Sequence, residues 1–260
     1  MVYKFTIAYD GTGFAGWQRQ RNAPTVQGTL ERTLEGILGE KVHLVGSGRT
    51  DSGVHAEGQV AHAAIRSRMP ASTLRRALNA LLPPEILVRS VQRTGPRFHA
   101  RYSAKRKLYR YSIWNSPLRP LFERNQVFHV ASPLDLPAMR RAARLLKGRR
   151  DFRAFCSEPG GASGAASSKL LSSNVPPAGG ASASGSHTVR TLHSVRIHRK
   201  RNLIRIEMEG DGFLYHMVRR IAGLLVEIGK GKAPPAVAPT APAKGLCLVR
   251  VHYPLARPGV

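Results

Sequence analysis

The residues best placed for chemistry lie in one short stretch, GSGRTDSGVHA at 46–56. Asp51 stands at its centre, with Gly46, Gly48 and Gly53 around it. Glycines at that density permit backbone conformations that side chains forbid, and they let a ligand approach the main chain. A carboxylate on such a loop can act as a nucleophile or a base. By spacing alone it can equally do no more than cap a tight turn. The chain has only 15 Asp plus Glu, so the rivals can be weighed one by one. Glu31, Glu35 and Glu40 lie on or beside an amphipathic helix and are expected to face solvent. Glu207 and Glu209 alternate with Ile206 and Met208, as on the exposed face of a strand. Neither group sits in a loop comparable to that of Asp51.

The charge balance indicates a partner. There are 41 Lys plus Arg in 260 residues, for a net charge of +26 and a pI near 11.4. Such a surface repels itself unless something anionic meets it. A solubility bias or a membrane surface would also give a basic chain. Here, however, basic residues alternate with aromatics inside strand-like segments, which favours nucleic acid over a charged tail. Arg101, Lys105, Arg106, Lys107 and Arg110 form one basic cluster, and Arg140 to Arg153 contains another. Either can contact phosphate or simply form a solvated face. Cys156 and Cys247 stand far apart, which argues against a disulfide framework and against a zinc site. No histidine pair has metal-ligand spacing beside a carboxylate cluster, and no metal is expected. The apolar run Ile221–Val226 is far too short to span a bilayer, so a reducing, soluble compartment is expected.

The elements that must position Asp51 follow from periodicity. Residues 2–9 alternate as a strand. Thr25 is an N-cap for a helix to about Leu38, with strands expected at 42–45 and 59–65. Ser72 is read as the cap of a second helix, and 86–93 as a fourth strand. The order is β-α-β-β-α-β, the ferredoxin-like arrangement. The second half repeats it with a strand at 107–114, a helix from Asp135 to Gly148, strands at 192–199 and 203–209, a helix over 213–228 and a strand at 246–253. The fold class is therefore α+β, two tandem ferredoxin-like domains at 1–103 and 104–260 with antiparallel sheets. Residues 157–187, dominated by Gly, Ala, Ser and Pro, read as a flexible insertion, and 229–243 as a loop. Tyr109 and Tyr111 share one face of the strand at 107–114, where Tyr109 could be an ordinary core residue. On the helix at 213–228, Phe213, Met217, Ile221, Leu224 and Ile228 form one stripe and Arg219 points nearly opposite, outward to a cleft or to plain solvent. Arg220 lies nearer the stripe's edge, where it can snorkel.

At this point the residues carry a resemblance. GSGRTDSGVHA resembles the catalytic-loop motif of the TruA family of tRNA pseudouridine synthases. YDGTGFAGWQRQ (9–20) with TVQGTLE (25–31), RKLYRY (106–111), DFRAFCS (151–157), FLYHMVRRIAG (213–223) and TAPAKGLCLVRVHY (240–253) resemble further family blocks, in the family's order. The resemblance implies isomerisation of uridine to pseudouridine at positions 38, 39 and 40 of the tRNA anticodon arm, without a cofactor. It implies a cytoplasmic homodimer whose two ferredoxin-like domains flank a basic cleft. Asp51 matches the catalytic aspartate, and Arg49 an arginine that takes the place of the flipped base. Tyr109 matches a tyrosine that stacks on the target base, and Arg219 an arginine that pairs with the aspartate.

The chemistry is consistent with these assignments. Breaking the C1′–N1 glycosidic bond develops positive charge on the sugar, and a carboxylate can attack C1′ or remove the 2′ proton. A hydrolase ordinarily needs a second carboxylate to handle water and leaving group. An isomerase keeps the uracil, rotates it and rejoins it through C5, so one carboxylate and a dry pocket suffice. A base inside a stem must first leave the stack, and a cationic Arg49 can fill the vacancy. The chain departs from the family in its long insertion at 157–187 and in lacking the helix that normally precedes TAPA-x-GL. A catalytically idle RNA-binding or RNA-folding protein on the same scaffold is the rival reading. It predicts damage at Asp51, which is intact.

Overall fold

The computed structural model describes residues 1–157 and 187–254. The chain divides into two compact units, one of Met1–Lys107 joined by the chain from Cys247 onward, the other of Leu108–Leu246. The stretch at 157–187 read as an insertion lies, Ser157 and His187 apart, outside the described residues.

The first unit begins with β1 (Val2–Tyr9), whose alternate residues Tyr3, Phe5, Ile7 and Tyr9 are buried as the period-2 pattern requires. Helix α1 (Val26–Leu38) starts at Thr25, whose hydroxyl accepts from the Gly28 amide, and stops at Gly39 with φ +66°. A cap of this type contributes about 1 kcal/mol. Next come β2 (Val45–Gly46), β3 (His55–Ala64), α2 (Ala71–Leu81) and β4 (Ile86–Thr94). β1 runs antiparallel between β3 and β4, with Val2 opposite both Ala64 and Thr94. β2 adds antiparallel to β3. The last strand among the described residues, β10 (Leu246–His252), runs parallel to β3 through the pairs Cys247–His55 and Leu248–Ala56. A Cβ on Gly58 would stand 2.5 Å from the Val249 carbonyl oxygen, so only glycine permits that approach.

Two expectations fail here for one reason. The strand expected at 42–45 shrinks to β2, and Glu31, expected in solvent, is 5% exposed. The Glu31 carboxylate accepts from the Leu44 amide at 2.9 Å, and Gln27 Nε2 donates to the Leu44 carbonyl at 2.9 Å. Side chains of α1 thus satisfy the backbone that a strand neighbour would otherwise have to satisfy. Ser72 is not the cap of α2 either. The helix begins at Ala71 after Pro70, without a side-chain cap.

The second unit comprises β5 (Arg106–Asn115) from Leu108 on, β6 (Phe128–Val130), α3 (Leu136–Leu145), β7 (Gly148–Asp151), β8 (Val189–Lys200), β9 (Leu203–Gly210) and α4 (Met217–Gly229). Its sheet order is β5-β9-β8-β7, with β6 parallel to β5. Asp135 caps α3, its carboxylate accepting from the Ala138 amide at 2.9 Å. α4 begins at Met217, four residues later than periodicity suggests. His216 adopts φ +61°, a left-handed conformation that a right-handed helix cannot contain. Among the described residues each unit is thus a mixed α/β layer, an open sheet with two α-helices. Among the described residues no helix is long and apolar enough to cross a membrane, and residues 231–242 form no helix or strand.

Candidate active site

Asp51 lies in the first unit, on the loop between β2 and β3. This loop has little freedom, because the carbonyls of Ser47, Gly48, Thr50 and Asp51 all have partners. Lys107 Nζ donates to the Ser47 carbonyl at 2.7 Å, and Gln59 Nε2 to the Gly48 carbonyl at 2.9 Å. The Trp17 amide donates to the Thr50 carbonyl at 3.0 Å and the Val54 amide to the Asp51 carbonyl at 3.2 Å. Ser47 is fully buried, its amide bonded to the Val60 carbonyl and its hydroxyl to Gln59 Oε1 at 2.7 Å. Thr50 is buried as well, with its hydroxyl 2.8 Å from that of Tyr9. Burial pushes the Tyr9 phenol far above its ordinary pKa, so this hydroxyl pair stays neutral. Arg49 is exposed and Asp51 half-buried on either side of Thr50. A fixed backbone therefore presents a cation and a carboxylate two residues apart.

The support for this loop comes from the segment after β1. Tyr9, Gly11, Phe14, Gly16 and Trp17 pack directly beneath it. The Phe14 carbonyl accepts from the Gly53 amide at 3.4 Å and the Ser52 hydroxyl at 3.2 Å. A Cβ on Gly11 would stand 2.1 Å from the Val54 carbonyl oxygen, and one on Gly46 2.6 Å from the Trp17 indole nitrogen. Gly16, at φ +90°, passes so close to Thr50 that a Cβ would stand 2.6 Å from its carbonyl oxygen. The blocks at 9–20 and 46–56, 37 positions apart in sequence when counted from their first residues (46 − 9), thus form one packed unit. Sequence reasoning missed the roles of Gly16, Gln59 and Lys107. The dense glycines at 11, 13 and 16 were the available signal for the first.

The other site residues singled out from sequence, Tyr109 and Arg219, belong to the second unit. Tyr109 is 8% exposed and meets Phe213 edge-on, ring centroids 5.0 Å apart. Its neighbour on the same face, Tyr111, is fully buried and donates its hydroxyl to the Pro242 carbonyl at 2.8 Å. Arg219 is half-buried, its Nε donating to the Ala241 carbonyl at 2.8 Å. It therefore ties α4 to the TAPA segment at 240–243. Arg220 does not snorkel. It is 7% exposed, and its Nη1 donates to the Cys156 carbonyl at 2.9 Å. A buried guanidinium is tolerated there because it satisfies backbone oxygens at the end of a 3-10 turn, Arg153–Phe155.

A basic chain built of mixed α/β units, with one carboxylate held on a clamped glycine loop, has the features of an enzyme acting on nucleic acid. A family model described as tRNA pseudouridine synthase matches residues 6–103 and 178–239. The chain is 42% identical over 263 residues to the tRNA pseudouridine synthase A of Acetivibrio thermocellus, covering 96% of this chain and 98% of that protein. It is 42% identical over 265 residues to the protein of the same name from Syntrophotalea carbinolica, covering 97% of this chain and 96% of that one. With that from Brevibacillus brevis it shares 38% identity over 260 residues, covering 95% and 97%. The chain belongs to the tRNA pseudouridine synthase family.

Proposed function

We propose that this protein isomerises uridine to pseudouridine at positions 38, 39 and 40 of the tRNA anticodon stem-loop, with Asp51 as the carboxylate that attacks C1′ or takes the 2′ proton. The observation that carries this reading is the placement of Asp51 on a loop whose neighbouring carbonyls are bonded from four directions. Such a carboxylate is preorganised, and preorganisation is where enzymes gain most of their advantage over solution. Arg49 fills the space left by the flipped base, Tyr109 stacks on the target uracil, and Arg219 serves the reacting nucleotide. No cofactor is required, since the uracil is released and recaptured within one pocket. The β-α-β-β-α-β order of the first unit, with strand order β4-β1-β3 and β2 on β3, supports a ferredoxin-like reading of that half. The protein acts as a cytoplasmic homodimer. Mapping pseudouridine in tRNA after incubation with the purified protein tests the assignment. Product at 38–40 is expected, and product elsewhere or none overturns it.

Two further measurements examine the contacts with RNA. With a net charge of +26, tRNA affinity should fall linearly in log K against log salt, with a slope of several units. A nearly flat dependence would remove phosphate contact as the main source of binding. Tyr109→Phe keeps the ring and its edge contact with Phe213 but loses the hydroxyl. It is expected to slow turnover roughly 100-fold through loss of proton transfer at C5, while Tyr109→Leu should also weaken substrate binding. Full activity in the Phe variant would leave the residue with stacking alone.

A further inference from the structure

The basic cluster at 101–110 contains one residue that does not behave like a phosphate contact. Lys107 is half-buried at the start of β5, within the first unit. Its ammonium donates to the Ser47 carbonyl at 2.7 Å. Its nitrogen lies 2.8 Å from the place a Cβ on Gly48 would occupy, so that glycine is what leaves room for it. We propose that Lys107 is a positioning residue for the reaction, its ammonium holding the Ser47–Gly48 turn so that Arg49 and Asp51 keep their working places. This rests on Asp51 being the catalytic carboxylate.

Two side chains share the task from opposite directions. Gln59 Nε2 takes the Gly48 carbonyl, while its Oε1 takes the Ser47 hydroxyl at 2.7 Å and the Val60 amide at 3.1 Å. Lys107 takes the remaining carbonyl. Without it, the buried Ser47 oxygen would lose a charge-assisted bond at the residue two before Arg49. Burial, and then the positive charge of Arg101, pull the Lys107 ammonium down from 10.5 to about 8. Tyr253 bonds the Ser47 side chain, and burial keeps its phenol neutral. Arg101 carries a charge that pH does not alter. Lys107 is thus the group here that changes charge just above neutrality. Its neutral amine can still donate to Ser47, but with roughly half the strength of the ammonium.

The test compares wild type with Lys107→Met and Lys107→Gln on intact tRNA, measuring kcat, tRNA Kd, melting temperature and the pH profile. Lys107→Met is expected to lower kcat by about 30-fold or more with Kd changed less than about threefold. Lys107→Gln, which keeps a neutral donor, should lose less. Wild-type kcat should decline as pH rises through about 8, and that decline should be absent from the Gln variant. If Lys107→Met weakens Kd and leaves kcat alone, Lys107 is a phosphate contact and the proposal fails. It fails also if kcat is unchanged in both variants, or if the decline persists in Lys107→Gln. Should the Met variant not fold, the Gln variant and its pH profile decide. A wild-type protein that makes no pseudouridine would instead refute the proposed function, an outcome distinct from any of these.

Discussion

Asp51→Asn is expected to melt at the wild-type temperature, bind tRNA at least as tightly, and form pseudouridine at less than about a hundredth of the wild-type rate. Asn is nearly isosteric with Asp and can neither attack C1′ nor accept a proton at neutral pH. The Asp51 carbonyl keeps its bond from the Val54 amide whatever the side chain, which holds the loop backbone in place. Removing a negative charge near phosphate can only favour binding. A hundredfold loss corresponds to about 2.7 kcal/mol of transition-state stabilisation. Single-turnover conversion of labelled tRNA, with binding measured on the same sample, separates the two effects. A variant that still converts uridine faster than that limit would leave Asp51 without its covalent or basic role.

Gly16→Ala should damage both stability and catalysis, although the residue reaches no substrate. Gly16 has φ +90°, a region that L side chains rarely adopt. Its new methyl would stand 2.6 Å from the Thr50 carbonyl oxygen, 3.1 Å from the Asp51 carbonyl carbon and 3.2 Å from the Ser52 amide. All three are backbone atoms, so relief requires the loop that carries Asp51 to shift. Backbone strain of this kind costs about 1–3 kcal/mol, equivalent to a fall in melting temperature on the order of 2–12 °C. A displacement of about 1 Å at Asp51 should reduce kcat by on the order of 100-fold. Gly13→Ala is the control, because a Cβ there meets nothing within 4 Å. It should behave like wild type. Equal damage in both variants would show that the close approach at Gly16 is not what positions Asp51.

What could be read from the sequence was local. Alternation fixed β1, because its partners on both sides bury the same face. The capping residues Thr25 and Asp135 marked the starts of α1 and α3, where each side-chain oxygen accepts from the amide three residues on. Asp51 stood out through its own neighbours. What could not be read was set by partners distant in sequence. Glu31 and Arg220 look like surface residues until backbone groups from elsewhere in the chain are brought to them. Periodicity ran α4 on into Phe213–His216 because apolar spacing does not register the left-handed turn at His216. Lys107 merged into a run of basic residues because its carbonyl partner lies 60 positions away.

The parallel pairing of β10 with β3 has a consequence for how the protein is made. Cys247 meets His55 at a separation of 192 positions (247 − 55), so the first unit is the first begun and the last finished. While a ribosome is still synthesising the second unit, β2 can cover this edge of β3 only at Ala61 and His62, and the His55–Ala56 stretch that will receive β10 has no strand beside it. Bare edges recruit strands from other molecules, and such non-local closure is slow. Translation speed through the final stretch, and chaperone cover until β10 emerges, should therefore govern yield more than the stability of the finished sheet.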